Sequence, residues 1–376
     1  MESVFVTAPP SHRSEGRRHV RPSRIRGLAA AALLTILAGC TSTAAPGFSG
    51  PASQPAPTTA TASPTPVPPA SPRPTPSPTP AYPLTLTDDA GGTVTLAKAP
   101  TKIVSLTPGS TETLFAIGAG PDVVGVTDFD DYPASVTSLP HVASYTAIDV
   151  EKIVSLGAEL VIAGGNGFNP PDQIAKIRSL KIPVLVIYAK DVPGVLKDIE
   201  LVGQAVGRSA EAKDLTASMQ AGFDQVKAAT ASLTKPRTFY EIDTTGAIYG
   251  PAADSFVAGM VTLAGGTAIT TGDPNKYDIS LEKLVTADPE VIILGDGAYG
   301  ATVAGVKARS GWGTITAVKT GAIRPANDLL ITRPGPRLGE GLRDLAVAIH
   351  PELASILPAP SASGSPAVSA SASAAP

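Results

Sequence analysis

A fourteen-residue segment occurs twice in this chain, and the repeat dictates a fold of two related halves. Asp149-Val-Glu-Lys-Ile-Val-Ser-Leu-Gly-Ala-Glu-Leu-Val-Ile162 returns 131 residues later as Ser280-Leu-Glu-Lys-Leu-Val-Thr-Ala-Asp-Pro-Glu-Val-Ile-Ile293. Aligned without gaps, Glu151 falls on Glu282, Lys152 on Lys283, Val154 on Val285 and Glu159 on Glu290. Each copy reads as a short helix followed by a β-branched run suited to a buried strand.

The flanking sequence extends the pattern. A small strand pair is expected near 84–86 and 94–96. Strands follow at 103–106, 123–126, 160–163 and 184–187, with helices at 111–117, 150–156 and 171–180 between them. The second half repeats this order with strands at 238–242, 291–294 and 322–324 and helices at 255–263 and 281–286. Such alternation makes the class α/β: two similar lobes, each a parallel-type sheet flanked by helices. Between them, apolar stripes at Val195, Ile199, Val202 and Val206, then at Leu215, Met219, Phe223 and Val226, mark helical sequence. The organisation expected is an N-terminal lobe over 84–206, an inter-lobe helix over 207–235 and a C-terminal lobe over 236–357. A long joining helix is a stiff hinge and predicts small closure.

Outside the core the sequence changes character. Residues 1–39 carry six arginines ahead of an apolar run too short to span a bilayer, which reads as an export signal. The run ends Leu37-Ala-Gly-Cys40, and Cys40 is the only cysteine. This resembles the lipobox of bacterial lipoproteins, which implies lipidation of Cys40 and an extracytoplasmic, membrane-anchored protein. Acyl chains would hold it at about 0.8 kcal/mol per buried methylene. One cysteine forbids an internal disulfide. Residues 41–80 are Pro, Ser, Thr, Ala and Gly with Arg73 the one charge, a composition that stays extended as a tether. At about 3.1 Å per residue it reaches on the order of 120 Å. A similar Ser/Ala/Pro tail covers 358–376.

Removing 1–39 leaves 23 basic against 30 acidic residues, a net charge of −7. That balance argues against nucleic acid and suits a partner with basic residues. The histidines His141 and His350 lack ligand spacing, so no metal site and no cofactor are expected. Gly295-Asp-Gly-Ala-Tyr-Gly300 fits G-x-G-x-x-G, yet position 317 is alanine and no acid lies between Asp296 and Asp328, which removes the dinucleotide reading. With no nucleophile elbow and no phosphate loop, the chain is not expected to be an enzyme.

Two-lobed α/β proteins hold ligands in the cleft between lobes. Of only 17 aromatic residues, Phe129, Tyr145, Tyr249 and Tyr277 fall in loops near that cleft, where flat faces suit a macrocycle; ordinary packing is the alternative. Arg333 and Arg337 sit in a Pro/Gly-rich loop and could fork onto ligand carboxylates or phosphates; solvation, or pairing with Asp328, is the plainer role. Glu151 and Glu282 each lie two residues after a capping side chain, in an exposed first turn. One such acid would only complement a helix dipole, but two related by a pseudo-twofold match a partner made of two related subunits. Glu159 and Glu290 immediately precede strands, where loop solvation is the simpler role.

The combination Ile103-Val-Ser-Leu-Thr-Pro-Gly-Ser-Thr-Glu-Thr-Leu-Phe-Ala-Ile-Gly118, Val124-Gly-Val, Asp131-Tyr-Pro133 and the two Glu-Lys helices resembles substrate-binding proteins of ABC importers. The similar group is the long-hinge class carrying vitamin B12, ferric siderophores and haem, and the Asp-Tyr-Pro loop is most like the B12-binding branch. The resemblance implies that Glu151 and Glu282 dock onto arginines of an ABC permease dimer served by ATPase subunits. It implies that Phe129, Tyr145, Tyr249 and Tyr277 line the pocket, and that the ligand is a corrinoid, with ferric siderophore or haem as the alternative. Gly164-Gly165 departs from the pattern, standing where that branch has an aromatic residue. A surface sensor or scavenger without transport is the reading from another class.

Overall fold

The computed structural model describes residues 81–357 apart from 145, 146 and 166. The expectations for the signal segment, Cys40, the tether, the tail and Tyr145 lie outside the described residues. Among those described, no helix is long and apolar enough to cross a membrane.

An antiparallel hairpin, β1 (Leu84–Thr87) with β2 (Thr93–Leu96), precedes the first sheet. The chain then runs β3 (Ile103–Ser105), α1 (Pro108–Ala116), β4 (Val123–Thr127), β5 (His141–Ala143), α2 (Val150–Ser155), β6 (Leu160–Gly164), α3 (Pro171–Ser179), β7 (Val184–Ile187) and α4 (Val192–Ala205). Helix α5 (Ser209–Thr230) follows; its 22 residues make a rod of about 33 Å. The second half contains β8 (Arg237–Glu241), α6 (Phe256–Leu263), β9 (Thr267–Ala268), α7 (Leu281–Ala287), β10 (Val291–Leu294), α8 (Val303–Ala308), α9 (Thr316–Thr320), β11 (Ile323–Pro325), α10 (Asp328–Thr332) and α11 (Leu338–Ile349).

All pairings within both large sheets are parallel, in the orders β5-β4-β3-β6-β7 and β11-β10-β8-β9. Strand β3, and β8 in the second sheet, is flanked on each side by a later strand. The order therefore reverses there, and the crevice outside its carboxyl end is where open α/β sheets take ligands. Strands β3, β6 and β10 are buried at every position, as unbroken apolar runs covered on both faces must be. One apolar cluster runs from the first sheet (Ile103, Leu160, Leu185) through α4, α5 and α11 to the second sheet (Tyr240, Val291, Ile293). The opposite face of each sheet has its own cluster, around Ile153 and Ile177 in one and Leu284, Ile292 and Trp312 in the other.

The repeated glutamates before β6 and β10 are not simply solvated. Glu159 accepts from the Thr101 amide at 2.7 Å and from Lys98 Nζ at 2.7 Å. Glu290 accepts from the Arg237 amide at 2.9 Å. Their own amides donate to the Lys102 and Arg237 carbonyls, both at 2.8 Å. Each glutamate thus staples the entry of its lobe's central strand, by the same device in both halves.

Candidate functional site

The aromatic side chains with substantial exposure are Phe129, Tyr132, Phe168, Tyr188, Tyr249 and Tyr299, and every one lies in the segment that follows the carboxyl end of a strand, Tyr299 in a short 3-10 turn. Elsewhere the described aromatic residues are packed away or partly covered. Large flat apolar faces left to solvent on one side of a fold mark a binding surface.

Local chemistry fixes these loops. After β4, Asp130 folds back so that its Oδ2 accepts from the Thr127 amide at 2.8 Å and from Thr127 Oγ1 at 2.5 Å, a turn that pushes Phe129 outward. After β6, buried Asn169 accepts from the Gly164 amide at 2.6 Å and donates to the Leu106 carbonyl at 3.4 Å. A Cβ on Gly164 would lie 2.9 Å from the Phe168 ring, and one on Gly165 would lie 3.0 Å from the Tyr188 Cβ. The two glycines therefore clear space for aromatic residues. Phe168, four residues on, lays its ring edge against Gly164.

In the second lobe Tyr249 bridges antiparallel to both Asp243 and Asp278, which sets it beside the Tyr277 segment. Burial pushes the Tyr277 phenol up, and Tyr188 adds to the shift. At the end of β8, fully buried Glu241 receives the Arg309 fork at 2.5 and 2.8 Å, and Arg309 also donates to Thr244 at 2.8 Å. Asp296 lies against this pair; burial first, then the Glu241 charge, push it up to about 7.

Arg333 and Arg337 reach over to the first lobe. Arg337 forks onto Glu112 of α1, Nε at 2.8 Å and Nη2 at 2.5 Å, with its guanidinium 4.1 Å above the Tyr132 ring. Arg333 donates to Asp131 at 2.5 Å and to the Phe129 carbonyl at 3.4 Å. Asp328, the partner considered from sequence, instead accepts from the Tyr240 hydroxyl at 2.7 Å. These contacts span more than 200 residues of sequence.

Glu151 and Glu282 are exposed in the first turns of α2 and α7, and neither side chain has a hydrogen-bond or ion-pair partner among the described residues. Asp149 and Ser280 cap these helices through the Lys152 and Lys283 amides at 2.9 and 3.2 Å. Among the described residues no cluster of His, Cys, Asp or Glu could hold a metal ion.

A family model described as periplasmic binding protein matches residues 103–327. The chain belongs to the periplasmic binding protein family. An uncharacterised ABC transporter substrate-binding lipoprotein of Bacillus subtilis, YvrC, is 32% identical over 276 residues, covering 72% of this chain and 87% of the relative. A cobalamin-binding protein of Halobacterium salinarum is 28% identical, covering 72% of this chain and 75% of its own length. Among solved structures, a periplasmic haem-binding protein from Roseiflexus sp. RS-1 superposes with a TM-score of 0.60 at 26% identity, over 66% of this chain and 98% of that one. This periplasmic binding protein is therefore the extracytoplasmic substrate-binding component of an ABC importer, a class that works with a permease and its ATPase and binds rather than transforms its cargo.

Proposed function

We propose that the protein captures a corrinoid, cobalamin or a close relative, between its lobes and delivers it to an ABC permease while tethered through lipidated Cys40. The observation that carries the ligand class is the confinement of the exposed aromatic faces to the carboxyl ends of both sheets. A corrin ring is broad and apolar on its faces and fringed with amides, so it needs flat surfaces with a few polar groups for orientation. Phe129, Tyr249 and Tyr277, with Phe168 and Tyr188, supply those surfaces from both lobes. The cobalamin-binding relative supports the same choice.

Iron complexes are the second reading, favoured by the phenol-rich rim and by the haem-binding neighbour. Burial weighs against it at Tyr277, because a raised phenol resists becoming the phenolate that ferric iron prefers. Calorimetric titration of the protein with cyanocobalamin, hemin and ferric siderophores decides between them. Saturable one-to-one heat with cyanocobalamin alone is expected, and binding confined to the iron complexes overturns the corrinoid reading.

The exposed acids Glu151 and Glu282, one on each related half, are the contacts offered to the permease. Uptake by cells carrying the matching importer separates this role from that of a sensor or scavenger.

A further inference from the structure

Two arginines on one loop beside a ligand cleft are ordinarily an anion receptor, because each guanidinium can fork onto a carboxylate. Here the fork is already filled. Glu112 takes both Arg337 donors and stands 3.5 Å from Arg333, while Asp131 takes Arg333. The Tyr132 ring covers one face of the Arg337 guanidinium. The arginine side chains keep only 16% and 20% exposure, and Glu112 keeps 3%.

From this geometry we infer that Glu112 and Asp131 act as resident counter-ions that make the cleft reject anionic ligands and accept uncharged or cationic ones. The inference rests on the cleft being where the ligand sits. An anionic ligand reaching Arg337 would have to displace Glu112. That carboxylate is buried and would lose both close hydrogen bonds, keeping only the 3.5 Å contact to Arg333, which costs more than a new ion pair at a partly wet rim returns. An uncharged amide-fringed ligand leaves all four side chains as they are. The surrounding loops carry further carboxylates: Asp128, paired with His141 at 2.9 Å, and Asp243, which accepts from the Thr245 amide at 2.9 Å. Specificity here is built from what the site refuses.

The test uses the full-length protein and two probes: hemin, which carries two carboxylates, and cyanocobalamin, which carries no net charge. Asp131→Asn changes a half-exposed partner isosterically and should fold normally; Glu112→Gln removes the buried one. Hemin affinity is expected to rise about tenfold in either variant, with cyanocobalamin affinity moving less than about twofold. Unchanged hemin affinity in both variants, including no detectable binding in wild type and variants alike, overturns the inference. Should cyanocobalamin fail to bind wild type, the corrinoid reading falls, while the hemin comparison still decides the role of the counter-ions.

Discussion

A Cβ placed on Gly109 would lie 2.3 Å from the Pro334 carbonyl oxygen, so the first turn of α1 meets the loop before α11 backbone to backbone across the lobes. Backbone cannot swing aside as a side chain can. Gly109→Ala should therefore push the lobes apart and strain the Arg337–Glu112 pair, at a cost of about 2–4 kcal/mol. A fall in thermal midpoint together with weaker ligand binding is the expected pair of results. Gly222→Ala is the contrasting change: it sits inside α5 with nothing within 4 Å of the added carbon, and should stabilise by about 0.5–1 kcal/mol. Chemical denaturation measures both.

Replacing Glu151 and Glu282 together with alanine should abolish uptake and leave ligand affinity and thermal midpoint unchanged, since both side chains stand exposed and unpaired among the described residues. A variant that still transports at wild-type rate, or one that loses affinity, would remove these residues from the permease contact.

The other repeated pair should behave in the opposite way. Glu159→Ala should cost about 1–2 kcal/mol, because a charged acceptor is taken from the Thr101 amide and from Lys98. Glu290→Ala, releasing the Arg237 amide, should cost somewhat less because that carboxylate is more exposed. Equilibrium unfolding should show these losses with ligand binding intact in the folded fraction.

Stability should fall as pH rises from mildly acidic to alkaline. Burial and a hydrogen bond to Asp89 push Asp198 up to about 8, and burial with the Glu241 charge pushes Asp296 up to about 7. A raised carboxyl binds its proton more tightly folded than unfolded. Its contribution is complete below about pH 4 and is lost as pH climbs through the folded value. Glu159 works in reverse: hydrogen bonding from Lys98 and the Thr101 amide lowers it to about 2, so its contribution is present above its ordinary range and disappears in strong acid. Melting at pH 5, 7 and 9 should show the decline, and Asp198→Asn should flatten it. A flat wild-type profile would contradict these assignments.

Much of the scaffold was legible because its strands are unbroken apolar runs and its repeat aligns without gaps. Strands β5 and β9, at three and two residues, escaped because so short a segment carries no period. The candidate site was legible only in part. Phe129 stands two residues past a strand end, while Tyr249 and Tyr277 fall in the longer loops that follow β8 and β9. Phe168 and Tyr188 were hidden because the glycines that admit them read as a vacancy rather than as clearance. The partners of Arg333 and Arg337 lie on the other lobe, so no local pattern could pair them, and Asp328 drew attention by nearness alone.

The apolar cluster that passes from one sheet through α4, α5 and α11 into the other has a consequence for how the molecule comes apart. Neither half owns a complete interior, so loosening one exposes greasy surface on its twin, and the two should melt as a single cooperative unit rather than in sequence. A receptor that works outside the cell gains from this: proteases find no half-open intermediate to cut.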